Sequence, residues 1–186
     1  MGLQAVFNSF LLVFISEMGD KTQLLALVLS VRFRKPLPIM LGIFVATILN
    51  HTLASYIGSL LSNQIAPQLL SWILGVVFII FGLWILIPDK EEEFKKEAKW
   101  GAFLTTTVAF FFAEMGDKTQ LATLALGAKY ASATMVTIGS TLGMLVADGL
   151  AVYFGQKFNN KIPLKIIRLI ASILFILFGI SIIIGF

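Results

Sequence analysis

The chain has 186 residues, of which 58% are hydrophobic and only 13% charged, and its mean hydropathy is +0.94. This excludes an ordinary soluble domain and describes a polytopic membrane protein. A formal net charge of +4 and a pI near 9.4 would elsewhere suggest nucleic acid, but the basic residues fall in short loops where membrane orientation accounts for them, so nucleic acid is excluded as a partner. With no cysteine and a single histidine, His51, disulfides and thiolate ligands are unavailable. Any metal site must use oxygen or that one imidazole.

Six apolar stretches, over about 3–31, 37–61, 69–87, 102–126, 131–154 and 164–186, are long enough to cross a bilayer and are expected to be helices. The predicted fold class is therefore an all-α membrane protein with six transmembrane helices. The first stretch lacks a basic leader region and carries acidic residues, so it reads as a retained span and not as a cleaved signal peptide. Its centre is Glu17-Met18-Gly19-Asp20-Lys21-Thr22-Gln23-Leu24. Ionisable groups at mid-membrane cost roughly 2.5–3.5 kcal/mol each on insertion scales, and such residues usually mark an ion or substrate path. On one helix Glu17 and Asp20 would share a face, and Lys21, four residues beyond Glu17, could pair with it. Gly19 between the acids would let that helix bend or let a second backbone come close, as discontinuous transporter helices require.

After the basic loop Arg32-Phe33-Arg34-Lys35-Pro36, the second stretch carries Gly42-x3-Ala46, a spacing expected to serve close helix packing, and then Asn50 and His51. Residues 89–100, with five acidic and four basic side chains, read as a solvated, charged linker. Beyond it Glu114-Met115-Gly116-Asp117-Lys118-Thr119-Gln120-Leu121 repeats the first motif 97 positions later. The same offset, without a gap, aligns Gly42 with Gly139, Tyr56 with Tyr153, Gly58 with Gly155 and Phe81-Gly82 with Phe178-Gly179. The chain is thus expected to be two three-helix repeats, 1–88 and 101–186, joined by the linker. Because each half has an odd number of spans, the second would enter the membrane from the opposite side. The abundant phenylalanines are expected mostly to face lipid.

Eleven of the 14 basic residues lie in or beside the loops after spans one, three and five, and only Lys129 lies on the other side. The odd-numbered loops should therefore be cytoplasmic and both termini external.

Glu17, Asp20, Glu114 and Asp117 supply four carboxylates, and Thr22, Gln23, Thr119 and Gln120 add neutral oxygens within a turn of them. All-oxygen shells of this kind suit Mn²⁺, Ca²⁺ or Mg²⁺. Lys21 and Lys118 could pair with the acids when the cation leaves. The same acids can also carry protons, since close carboxylates titrate as a coupled set. A plain structural account, in which Glu17–Lys21 and Glu114–Lys118 are intrahelical ion pairs gluing helices together, would not require Asp20, Asp117, Gly19 and Gly116 to recur.

With two intact copies of E-x-G-D-(K/R)-(T/S), the chain resembles the small cation/proton exchangers that include MneA-type bacterial manganese exporters and the Golgi and chloroplast manganese/calcium transporters. The resemblance covers essentially the whole chain. It implies that Glu17, Asp20, Glu114 and Asp117 bind cation and protons, supported by Gly19, Lys21, Thr22, Gln23, Gly116, Lys118, Thr119 and Gln120. It implies a secondary transporter, not an enzyme, that exports Mn²⁺, or else Ca²⁺, from the cytoplasm in exchange for protons. It further implies a multi-pass protein of a bacterial plasma membrane, with lipid, divalent cations and protons as its partners. No cofactor is expected, the metal being cargo. A passive cation channel or an exporter of a small organic cation could use the same acids. The repeat breaks at His51, whose counterpart is Asp148; both are expected to be buried, either hydrogen-bonded to a neighbouring helix, with Asn50 a candidate partner, or flanking the motif acids as a proton path.

Overall fold

The computed structural model describes residues 2–87, 101–158 and 164–185, so the charged linker at 89–100 lies outside the described residues. Among these residues every regular element is helical: α1 (Gly2–Glu17), α2 (Lys21–Phe33), α3 (Pro36–Ser62), α4 (Pro67–Ile85), α5 (Ala102–Glu114), α6 (Lys118–Tyr130), α7 (Ala133–Phe158) and α8 (Leu164–Ile184). The first stretch is therefore not one helix. Glu17 is the last residue of α1, Gly19 takes φ +81°, and α2 starts at Lys21 with its axis turned by 70°. The fourth stretch breaks in the same way, with Glu114 ending α5, Gly116 at φ +79° and α6 starting at Lys118. A residue in the left-handed region ends an α-helix, and glycine is the residue that adopts it without steric cost. The expected bend at Gly19 is thus a complete break. Glu17, Asp20 and Lys21 do not sit on one helix face, and the intrahelical Glu17–Lys21 pair expected from their spacing does not form.

The other boundaries also follow local chemistry. Pro36 and Pro67 occupy the first turns of α3 and α4, where proline's missing N–H is not needed. α2 and α6 each run into a left-handed residue, Arg34 (φ 52°) and Ala131 (φ 49°), again 97 positions apart.

α1 packs on α7 and α5 on α3, two equivalent pairings. A Cβ added at Gly42 would meet the Phe103 carbonyl at 2.8 Å and Thr106, and one at Gly139 would meet the Val6 carbonyl and Ser9, the residues 97 positions earlier. These glycines serve close helix packing, as their spacing suggests. α3 crosses α7, and α4 lies along α8 where Gly75 meets the backbone of Gly179 and Gly82 that of Ser172. Phe78 is buried in that seam, edge-on to Phe81 and Phe178 and tilted against Phe175. Part of the aromatic content is therefore core, because the glycines bring two backbones close enough for rings to fill the space beside them. Four helices, α3, α4, α7 and α8, are long and apolar enough to span a membrane, the bent α1/α2 pair makes a fifth candidate, and α5 is a shorter apolar helix.

Candidate cation site

The motif spells out the break. Its glutamate closes one half-helix, its glycine turns the chain and its aspartate stands at the N-cap of the next, where neither Asp20 nor Asp117 spends its side chain on a cap hydrogen bond. The end of one half-helix and the start of the next therefore meet at each break, where Asp20 N–H donates to the Glu17 carbonyl at 3.1 Å and Asp117 N–H to the Glu114 carbonyl at 3.2 Å. The motif glutamine holds each turn. Gly19 N–H donates to Gln23 Oε1 at 2.7 Å and Gly116 N–H to Gln120 Oε1 at 2.6 Å. The glutamine amides then tie the turns to the long helices: Gln23 Nε2 donates to the Ala147 carbonyl on α7 at 2.9 Å, and Gln120 Nε2 to Asn50 Oδ1 on α3 at 3.3 Å. These glutamine oxygens serve the fold before they serve an ion.

Three of the four motif acids converge. Glu17, Glu114 and Asp117 are buried, and each brings one carboxylate oxygen within 4.8 Å of the other two. Oxygen ligands sharing one divalent ion at about 2.1–2.6 Å are separated by such distances. Thr22 Oγ1 donates to Glu17 Oε2 at 2.7 Å, and Thr119 Oγ1, from the other copy, donates to Glu17 Oε1. Glu114, by contrast, has no hydrogen-bond partner for either oxygen among the described residues, and neither has Asp117 Oδ2. Lys21 Nζ lies 3.3 Å from Asp117 Oδ1, so the lysine of the first copy pairs with the aspartate of the second. Lys118 reaches the Ile87 carbonyl at 3.3 Å and stands over the Trp84 ring. Buried carboxylates without enough partners demand a counter-charge, which a cation or bound protons supply.

Asp20 is not in that trio. It is half-buried and lines a cleft with Ser16, Gly19, Ile87, Lys118, Thr119 and Arg168. His51 and Asp148 are fully buried, but none of their side-chain nitrogens and oxygens has a hydrogen-bond partner among the described residues, which corrects the hydrogen-bonded alternative. Asn50 is engaged by Gln120 and donates to the Phe111 carbonyl at 3.1 Å. Asp148 lies within electrostatic reach of both Glu17 and Glu114. One participant escaped the sequence reading: Arg168, counted as a loop charge, could have been singled out because its counterpart 97 positions earlier is Ser71.

The fold and site define an all-helical protein with several helices long and apolar enough to cross a membrane and a buried cluster of three carboxylates that could hold a metal ion. Residues 5–93 and 102–185 match the family of the divalent cation/proton antiporter GDT1, and the chain belongs to that family. It is 45% identical over 170 residues to a Vibrio cholerae protein named "Putative manganese exporter", covering 91% of this chain and 85% of that one. It is 28% identical to a GDT1-like protein of Synechocystis over 96% of both chains, and 28% identical to GDT1-like protein 3 of rice over 95% of this chain and 72% of that one. No solved structure matches.

Proposed function

We propose that this antiporter exports Mn²⁺ from the cytoplasm in exchange for protons, by alternating access around Glu17, Glu114 and Asp117. The observation that carries the reading is the meeting of three buried carboxylates drawn from both motif copies, one of them with no hydrogen-bond donor among the described residues. Such a trio holds a divalent cation or protons but not both, and that exclusion is the chemical requirement of antiport. Glu17, held by two threonine hydroxyls, anchors the site; Glu114 and Asp117 complete it, and Lys21 offsets charge on Asp117 as the cation departs. Mn²⁺ is favoured over Ca²⁺ by the name of the Vibrio relative, since oxygen ligands separate the two poorly. Asp20, at the cleft, receives the ion on its way to the trio. Asp148, in electrostatic reach of both glutamates, carries protons on one side of the site and His51 on the other.

In this reading the eight helices form six spans, α1/α2 and α5/α6 each counting as one broken span. The repeats 1–88 and 101–186 are inverted, and the basic odd-numbered loops set both termini outside a bacterial plasma membrane. Purified protein in proteoliposomes should release protons when Mn²⁺ is added, with Ca²⁺ weaker and Mg²⁺ weakest. Mn²⁺ flux without counter-movement of protons, accompanied by a steady conductance, would instead make the protein a channel.

A further inference from the structure

The α4/α8 pair does not sit symmetrically on the rest of the bundle. α8 packs on α1 and α4 on α6, whereas the pairings related to these by the repeat, α4 on α5 and α8 on α2, are at most marginal among the described residues. α8 therefore covers the first helix break. Half-buried Arg168, in the first turns of α8, places Nη2 at 3.5 Å from the carbonyl of Gly19, the residue that makes that break. The guanidinium lines the same cleft as Asp20 and Thr119, and Thr119 in turn donates to Glu17, so the cleft ends one side chain from the carboxylate trio. Ile87 also lines it, which puts the cleft at the end of the molecule where α4 finishes and α8 begins. Its counterpart in the repeat, Ser71 in the first turns of α4, carries no charge and donates its hydroxyl to its own helix at Pro67.

We infer that Arg168 makes the two mouths of the transporter unlike. It is a positioning residue that latches α8 over the first break and holds a fixed positive charge beside Asp20, so a divalent cation approaching through this cleft meets a repulsion absent from the opposite mouth. The inference rests on the antiport reading above and adds to it a difference in apparent cation affinity between the two membrane faces.

The test titrates Mn²⁺ separately on each face of membrane vesicles of known orientation and follows the coupled proton flux. Arg168→Gln should lower KM at the face bearing residues 87 and 164 by about three- to tenfold, the scale expected for removing one unit charge near a divalent ion in a partly hydrated cleft. KM at the other face and kcat should stay within about twofold of wild type. Arg168→Lys, which keeps the charge, should retain the difference between faces. A KM unchanged in Arg168→Gln, or changed equally at both faces, would overturn the proposal. If that variant fails to reach the membrane, raising the ionic strength around the wild-type protein should lower KM more at the face bearing residues 87 and 164 than at the other, because salt screens a fixed charge, and an equal response at both faces overturns the idea. Absence of exchange in the wild-type protein would instead remove the antiport reading and this inference with it, so the two failures are distinguishable.

Discussion

The two helix breaks are built from the same eight residues, yet they occupy different surroundings. At the first, Gly19 is buried and Met18 half-buried beneath α8; at the second, Gly116 is exposed and Met115 is 57% exposed. The acids divide the other way: Asp20 faces a cleft, while Asp117 is buried and paired with Lys21. Glu17 collects hydroxyl donors from both copies and Glu114 from neither. Identical motifs thus hold unlike roles because the helices packed over them differ.

The comparison can be broken at its centre. Glu17→Gln and Glu114→Gln should each cut exchange by at least about a hundredfold, since each removes a charged oxygen from a three-carboxylate site. Wild-type rates in both variants, measured as Mn²⁺-driven proton flux, would show that the trio is not the cation site.

Proton competition comes next. Because the acids must be deprotonated to hold metal, apparent Mn²⁺ affinity should fall as pH falls, by up to about tenfold per pH unit for each proton displaced. A KM constant between about pH 5 and 8, the range where perturbed acids and histidine titrate, would separate the proton site from the metal site.

The unequal sharing of hydroxyls sharpens the contrast further. Thr22→Val and Thr119→Val should each weaken Mn²⁺ binding by about tenfold, the scale of a lost hydrogen bond to a metal-ligating carboxylate. As both donate to Glu17, the double variant should depart from the product of the two single effects. Equal and independent effects, read from Mn²⁺ titrations, would argue that each threonine serves its own glutamate.

The smallest effect lies in the turns themselves. A Cβ at Gly116 would meet nothing within 4 Å, so Gly116→Ala should cost only the left-handed backbone, about 1 kcal/mol. Gly19, by contrast, is buried with its carbonyl against Arg168 of α8, and Gly19→Ala should lower the melting temperature in detergent by more. Equal shifts would mean that α8 does not press on the first break.

Much of this protein is legible from its residues in order. Apolar runs of membrane length become helices because unpaired backbone groups are intolerable in lipid. The repeat carried through to helix ends and left-handed residues at the same offset of 97, since those boundaries depend on local chemistry that the duplication copied. The motif acids were likewise visible as charges where charge is costly. What only the tertiary structure decided is how these residues are shared. A helical spacing argument assigned Lys21 to Glu17, but one glycine at φ +81° redirects the chain and delivers Lys21 to Asp117 in the other half. Neither the exclusion of Asp20 from the trio nor the covering of one break by Arg168 can be read from two identical octapeptides. Identical local sequences specify identical local structure, and only long-range packing of the unlike helices α4 and α8 breaks that symmetry.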